Sequence, residues 1–231
     1  LLNRQSNNGY TDPRNNGGSM LTRIDPTSQL GEPLNVIISS NSDQDVLTSA
    51  GLSEYFESLY FSPGSCAGIS LGGAQQANLG DGTGYINQTN VLRFNYYGGD
   101  SGTCLESVKG GNHLRYWIQN GSSADTKAVF IAASVEMPAQ EGHNIVSNGY
   151  DLGRNQLTGN ATNSTGTTSP GGFKYTASMK QVNLLQSVDQ SQINHGISID
   201  GNVNVLTVKI TKTGQLGANR NGNSASDSGS S

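Results

Sequence analysis

Residues 113–135 read HLRYWIQNGSSADTKAVFIAASV and contain two consecutive strand patterns. The segments 113–119 and 128–135 are rich in aromatic and β-branched residues, which favour strands. The polar segment 120–125 between them predicts the turn of an antiparallel hairpin. Because apolar residues occupy both faces of 128–135, this segment is expected to be a central strand of the sheet.

The rest of the chain predicts an α+β or α/β fold around this hairpin. Short apolar or alternating runs predict strands at 34–38, 91–97, 173–180 and 203–210. Asp43 is expected to cap one helix and Ser53 a second helix. The apolar face of the second helix would consist of Leu52, Tyr55, Phe56 and Leu59. We therefore expect a mixed, mainly antiparallel sheet with two or three packed helices.

Composition predicts one domain between two polar ends. Of the 231 residues, 33% are hydrophobic and 13% are charged, and the apolar residues are clustered. Residues 1–19 predict an extended arm, 20–214 a single globular domain, and 215–231 a low-complexity tail. Ordering such tails costs conformational entropy. If the tails are ordered, we expect a neighbouring chain to hold them, which predicts self-association.

Charge and hydrophobicity argue against nucleic-acid binding and against a membrane span. The net charge is −4 and the lysines and arginines are scattered, so the basic stripe that nucleic-acid binding needs is lacking. No apolar run approaches the roughly 20 residues of a membrane span.

The first residues, LLNRQSNNGY, lack the features of a signal peptide, and we expect that a leader has already been removed.

Cys66 and Cys104 are the two cysteines. An even count without a CxxC motif predicts a disulfide bond between them, as in secreted or cell-wall proteins. The alternative is a pair of buried thiols in a cytosolic protein. Four N-x-[ST] sequons predict surface glycosylation at Asn87, Asn120, Asn160 and Asn163.

The first candidate site lies on the strand at 113–119. Alternation places His113, Arg115 and Trp117 on one face, with neighbours about 6–7 Å apart. A guanidinium can bind a carboxylate or phosphate while an imidazole exchanges a proton. This pattern predicts a site for a small anion. The alternative is a polar stripe that faces solvent.

A second group of polar residues follows the hairpin. We expect the loop with His143 to approach His113 and Arg115, with Asp151 or Arg154 at the rim of a shared site. In this prediction His113, His143 and Asp151 are catalytic, and Arg115 and Arg154 bind the ligand. The alternative is that Asp151 caps a helix and pairs with Arg154 one turn later. We predict no metal, because a third firm ligand is lacking, and no cofactor.

These motifs resemble the LssY-like C-terminal domain family and its fungal secreted relatives. The similarity lies in PLNVI at 33–37, HLRYW at 113–117, HNI at 143–145, DLGR at 151–154 and DG at 200–201. This chain has Gly142-His143 where the family has His-His, and Arg154-Asn155 where it has Arg-Asp. The resemblance implies a polar site but no settled activity.

Three function classes follow from the sequence. The first is a secreted glycoprotein whose polar site binds or hydrolyses a small anionic or glycan ligand. The second is a structural, self-associating glycoprotein of the cell surface or matrix. The third is a serine esterase, because GISLG at 68–72 matches the nucleophile motif around Ser70. The preceding segment contains Pro63, which disfavours the strand that this motif requires. Whether the protein is an enzyme stays open at this point.

Overall fold

The computed structural model describes residues 7–64, 73–96, 99–142 and 144–217. Within these ranges the α-helices are α1 (Ser49–Ser58), α2 (Gly99–Lys109) and α3 (Gly149–Ala161). The strands are β1 (Val36–Ile38), β2 (Phe61–Ser62), β3 (Gln76–Asn78), β4 (Tyr85–Asn87), β5 (Asn90–Phe94), β6 (Gly111–Gly121), β7 (Ala124–Glu136), β8 (Thr167–Thr168), β9 (Lys174–Val182) and β10 (Val203–Lys212).

Eight of these strands form one mixed sheet in the order β2-β5-β6-β7-β1-β10-β9-β8. Every pair is antiparallel except β1 with β10. The predicted hairpin is β6–β7, and its turn is shorter than expected because the strands extend to Gly121 and from Ala124. The expected α+β class, a mainly antiparallel sheet with three helices in one domain, is confirmed.

Helices α1 and α3 cover one face of the sheet, which we call the helix-covered face. The apolar side chains of α1 at Leu52, Tyr55 and Phe56 pack there, together with Leu157 and Ala161 of α3. The sheet contributes alternate residues to this core: Val36, Ile38, Leu92, Leu114, Val129, Ile131, Leu206 and Val208. The apolar face predicted around Leu52 is thus used to cover the sheet.

Loops, the two-stranded β3–β4 sheet and Glu106 of α2 cover the opposite face, which we call the loop-covered face. Trp117 is buried there and donates its indole N–H to the carbonyl of Ile86, at 3.2 Å. The N-terminal arm contributes Tyr10, whose ring packs edge-on against Phe130 at 6.2 Å. At Tyr10 the arm thus packs against its own chain, and self-association through the tails stays a prediction.

Two local predictions near α1 are wrong. Asp43 precedes a 3-10 turn (Gln44–Leu47) and makes no side-chain cap hydrogen bond to it. A single α-helix follows, because Thr48 caps it by accepting a hydrogen bond from the Gly51 N–H at 3.0 Å. Ser53 therefore lies inside α1 and not at its start.

Helix α2 has no counterpart among the predicted elements, since its Gly99 and Gly102 resemble turn residues.

The approach of α3 to β7 depends on Gly153, which gives a prediction for stability. A Cβ at position 153 would lie 2.6 Å from the Ser134 Cα, whereas a Cβ at Gly159 of the same helix would contact nothing within 4 Å. Gly153→Ala should lower the free energy of unfolding by about 1–3 kcal/mol through overpacking. Gly159→Ala should raise it by up to about 1 kcal/mol through helix propensity. Urea unfolding measures both changes, and equal shifts of the two midpoints would contradict this account.

Candidate functional site

Three neighbouring strands place polar residues side by side on the loop-covered face. The register pairs Arg93 of β5 with His113 of β6, and His113 with Ser134 of β7. Paired residues project to the same face. His113, Arg115 and Trp117 share this face as alternation predicts, and all three are buried. The alternative of a solvent-facing stripe is therefore wrong.

Two carboxylates complete a group that we call the buried charge cluster. Glu106 of α2 lies with its Oε2 3.1 Å from Nε of Arg93. Glu136, at the end of β7, lies with its Oε1 3.4 Å from Nδ1 of His113. The Ser134 hydroxyl is 3.3 Å from the same nitrogen. The cluster consists of Arg93, Glu106, His113, Arg115 and Glu136.

Burial controls the protonation of both carboxyl groups. The Glu106 side chain is fully buried, whereas that of Glu136 is 12% exposed. Burial raises the pKa of Glu106 to about 7, although Arg93 opposes the shift. Burial and the neighbouring charge of Glu106 raise the pKa of Glu136 to about 8. A carboxyl group of this kind holds a proton near neutral pH and can act as a general acid.

A hydrogen-bonded chain links Arg115 to the loops that cover this face. Arg115 Nη1 donates to Gln88 Oε1 at 2.9 Å, and the same oxygen accepts from the Gln75 N–H at 3.0 Å. Gln75 in turn accepts from Thr22 Oγ1 at 2.6 Å. Thr22 Oγ1 accepts from the backbone N–H of Glu32, whose buried carboxyl group adds to the upward shift of the Glu136 pKa.

A cavity of about 500 Å³ lies at the end of the sheet next to the cluster. Glu136 is among the residues that line this cavity, and its carboxyl group contacts His113. Aromatic rings line one part and amide side chains another. The aromatic residues are Phe61, Phe94 and Tyr96, and the amides are Asn112, Gln156 and Asn160. A cavity of this size can hold a small-molecule ligand.

Asp151 and Arg154 belong to a different network. The buried guanidinium of Arg154 donates to both carboxylate oxygens of Asp200, at 2.6 and 2.8 Å, and to Asp151 at 3.2 Å. It also donates to the Asn202 carbonyl and to Asn155. The predicted i,i+3 pair is therefore present. The predicted cap is wrong, because Asn148 occupies the cap position and Asp151 lies in the first turn of α3.

Several predicted residues lie outside the described residues, namely Cys66, Ser70 and His143. The chain returns to β7 at Asn144, whose carbonyl accepts a hydrogen bond from the Met137 N–H at 2.7 Å. The described part of the chain contains no free thiol, but the Cys66–Cys104 bond stays a prediction. The shared site with His143 and the serine-esterase alternative stay predictions as well.

The four sequon asparagines are all exposed, and their glycosylation stays a prediction. Asn120 lies beside the hairpin turn, as expected, and Asn163 lies in the loop after α3. Asn160 was expected in that loop but belongs to the last turn of α3. It is the sequon asparagine that lines the cavity described above.

Three of the five cluster members were not among the predicted site residues. Arg93 could have been found from strand pairing, because the strand predicted at 91–97 contains it. Glu106 gave no signal, since α2 itself was not predicted. Glu136 follows the predicted central strand directly, where binding residues are often found.

The comparisons with known proteins give no relative. No family model, curated protein or solved structure matches the chain. The resemblance to the LssY-like family therefore rests on the quoted motifs and stays a prediction. Among the described residues, no helix is long and apolar enough to cross a membrane. That part of the chain also contains no group of three or more His, Cys, Asp or Glu arranged for a metal ion.

The raised carboxyl pKa values predict how stability depends on pH. Between about pH 5 and 8 the folded chain keeps protons that unfolded glutamates, with a pKa near 4.3, lose. Stability should therefore fall as the pH rises, by up to about 1.4 kcal/mol per pH unit for each group. Glu136→Gln should flatten this slope, whereas Glu141→Gln, at an exposed position nearby, should not. Urea unfolding at several pH values tests this, and identical slopes in all three proteins would contradict it.

Proposed function

We propose that the protein binds a small neutral glycan in the cavity and hydrolyses it by general acid–base catalysis. The observation that supports this most directly is that Glu136, a lining residue of a cavity of about 500 Å³, also lies 3.4 Å from His113. Glu136 is the acid in this proposal. His113 exchanges the proton with it and is held in place by Ser134.

The lining of the cavity favours a neutral sugar over an anion. The cluster and Glu32 together contain three carboxyl groups and two guanidinium groups, so ionised Glu136 would repel an anionic ligand. Lys109 is the cationic side chain among the described residues that line the cavity. Aromatic rings can pack against the apolar face of a sugar ring, while amide groups hydrogen-bond its hydroxyls.

The reaction would use the proton that burial keeps on Glu136. In glycoside hydrolysis a carboxylic acid protonates the leaving oxygen. As the bond from the anomeric carbon to that oxygen breaks, water bonds to the same carbon and returns one proton to the ionised Glu136. The raised pKa of Glu136 keeps it protonated near neutral pH. Glu106 and Arg93 are too deeply buried to contact a substrate in the cavity, and they act by setting the charge around Glu136.

A first test is hydrolysis of a panel of neutral 4-nitrophenyl glycosides. Glu136→Gln should lower kcat by about 10²–10⁴-fold, the usual contribution of a general acid. Its KM should change little, because the amide keeps the shape of the side chain. Glu141→Gln is the matched control and should behave as the wild type. Equal kcat values for Glu136→Gln and the wild type on every accepted substrate would refute the role of Glu136.

A second test uses the pH profile to examine Glu106. Activity that depends on protonated Glu136 should be lost as the pH rises through about 8. Glu106→Gln removes the negative charge that raises the pKa of Glu136. The positive charge of Arg93 remains and favours ionised Glu136, so the pKa of Glu136 should fall. The alkaline limb should therefore move down by about 1–2 pH units. An unchanged limb in a variant that remains folded by circular dichroism would contradict this role.

A further inference from the structure

Within the described residues, Asn160 is the one sequon asparagine that also lines the cavity. It begins the sequon Asn160-Ala161-Thr162, and its exposed side chain lines the cavity next to Glu136. Gln156, one turn earlier on α3, lines the same cavity. Residues four apart on a helix project from the same side, so α3 presents the acceptor amide directly at the cavity.

We propose that Asn160 carries an N-linked glycan whose first sugars cover this cavity and restrict access to it. The regulatory consequence rests on the proposed function, whereas the modification and its position do not. In the modification, Asn160 Nδ2 attacks the anomeric carbon of a lipid-linked oligosaccharide diphosphate. The new C–N bond forms and the C–O bond to the diphosphate breaks. The lipid diphosphate leaves, and the proton lost by the amide nitrogen balances its new negative charge.

The composition of the cavity supports this occupant. An N-linked sugar is bulky and is held to the amide by a single bond, so its first residues stay within reach of the cavity. Phe61, Phe94 and Tyr96 offer aromatic surface to a sugar ring, and Gln156 and Asn112 offer amide groups to its hydroxyls. A covalent tether gives the attached sugar a high effective concentration at this surface. A glycan on Asn160 would therefore compete with any free ligand.

The neighbouring sequon provides the matched control. Asn163 is three residues further on, beyond the end of α3, and its side chain accepts hydrogen bonds from Thr165 within its own loop. It does not line the cavity. A glycan on Asn163 should add similar bulk to the same end of the molecule without covering the cavity.

Access to the cavity can be measured without any assumption about activity. Lys109 lines the cavity and is exposed, so its rate of acylation by an N-hydroxysuccinimide ester reports on access. Lys127, with 51% of its side chain exposed near the hairpin turn, is the internal reference. The proteins are secreted from a glycosylating yeast, and peptide mass spectrometry reports both glycan occupancy and acylation.

The expected result is a glycan on wild-type Asn160 and slow acylation of Lys109. Asn160→Gln should raise the Lys109 rate several-fold relative to Lys127, and Asn163→Gln should not. Thr162→Ala removes the sequon but keeps Asn160, and it should match Asn160→Gln. Enzymatic removal of the glycan should bring all four proteins to the same fast rate.

Two results would overturn the proposal. One is an unmodified Asn160 in the secreted protein, and the other is an equal Lys109 acylation rate in the wild type, Asn160→Gln and Thr162→Ala. The hydrolysis panel, run on the same samples, separates this inference from the proposed function. If Lys109 becomes accessible in Asn160→Gln and no glycoside is cleaved, the glycan cover stands and the proposed hydrolysis fails. If cleavage rises only in the two Asn160 sequon variants, both are supported.

Discussion

The antiparallel register between β6 and β7 is the constraint on which the rest of the structure depends. It places His113 opposite Ser134 and Gly111 opposite Glu136. A slip of one residue would move every side chain to the other face, and both faces of this sheet are covered. Gly111 also leaves space for α2, because a Cβ there would lie 3.0 Å from Cγ of Glu106. The charge cluster can form only in this register.

Burying charged groups together is costly, and the cluster reduces that cost through protonation. Desolvation of an ion pair can exceed its Coulombic gain. When Glu136 is protonated, it carries no charge and repels Glu106 less. Glu106 can then remain close to Arg93. Residues that break the usual rules for a buried core are expected at functional sites. This expectation is the physical reason to look for chemistry at the end of β7.

The Arg154 network shows the opposite electrostatic behaviour within the same domain. Burial opposes ionisation of Asp200, but hydrogen bonds from Arg154 and from the Asn202 N–H lower its pKa to about 2. This carboxylate is therefore charged at every ordinary pH, and it ties α3 to the turn before β10. The stability it contributes is present above about pH 4 and is lost as the pH falls through about 2. Such a pair serves the fold, whereas the raised pKa of Glu136 keeps its carboxyl group protonated near neutral pH.

The sequence by itself determined the hairpin, the strand faces and the general fold class, because these depend on patterns within a few residues. Alternation was enough to put His113, Arg115 and Trp117 on one face. The tertiary structure alone decided which groups meet them, because Arg93, Glu106 and Glu136 come from different elements and meet only when the sheet is paired and α2 packs on it. Burial, which sets the protonation of Glu136, is likewise a property of the whole fold and cannot be determined from any one segment.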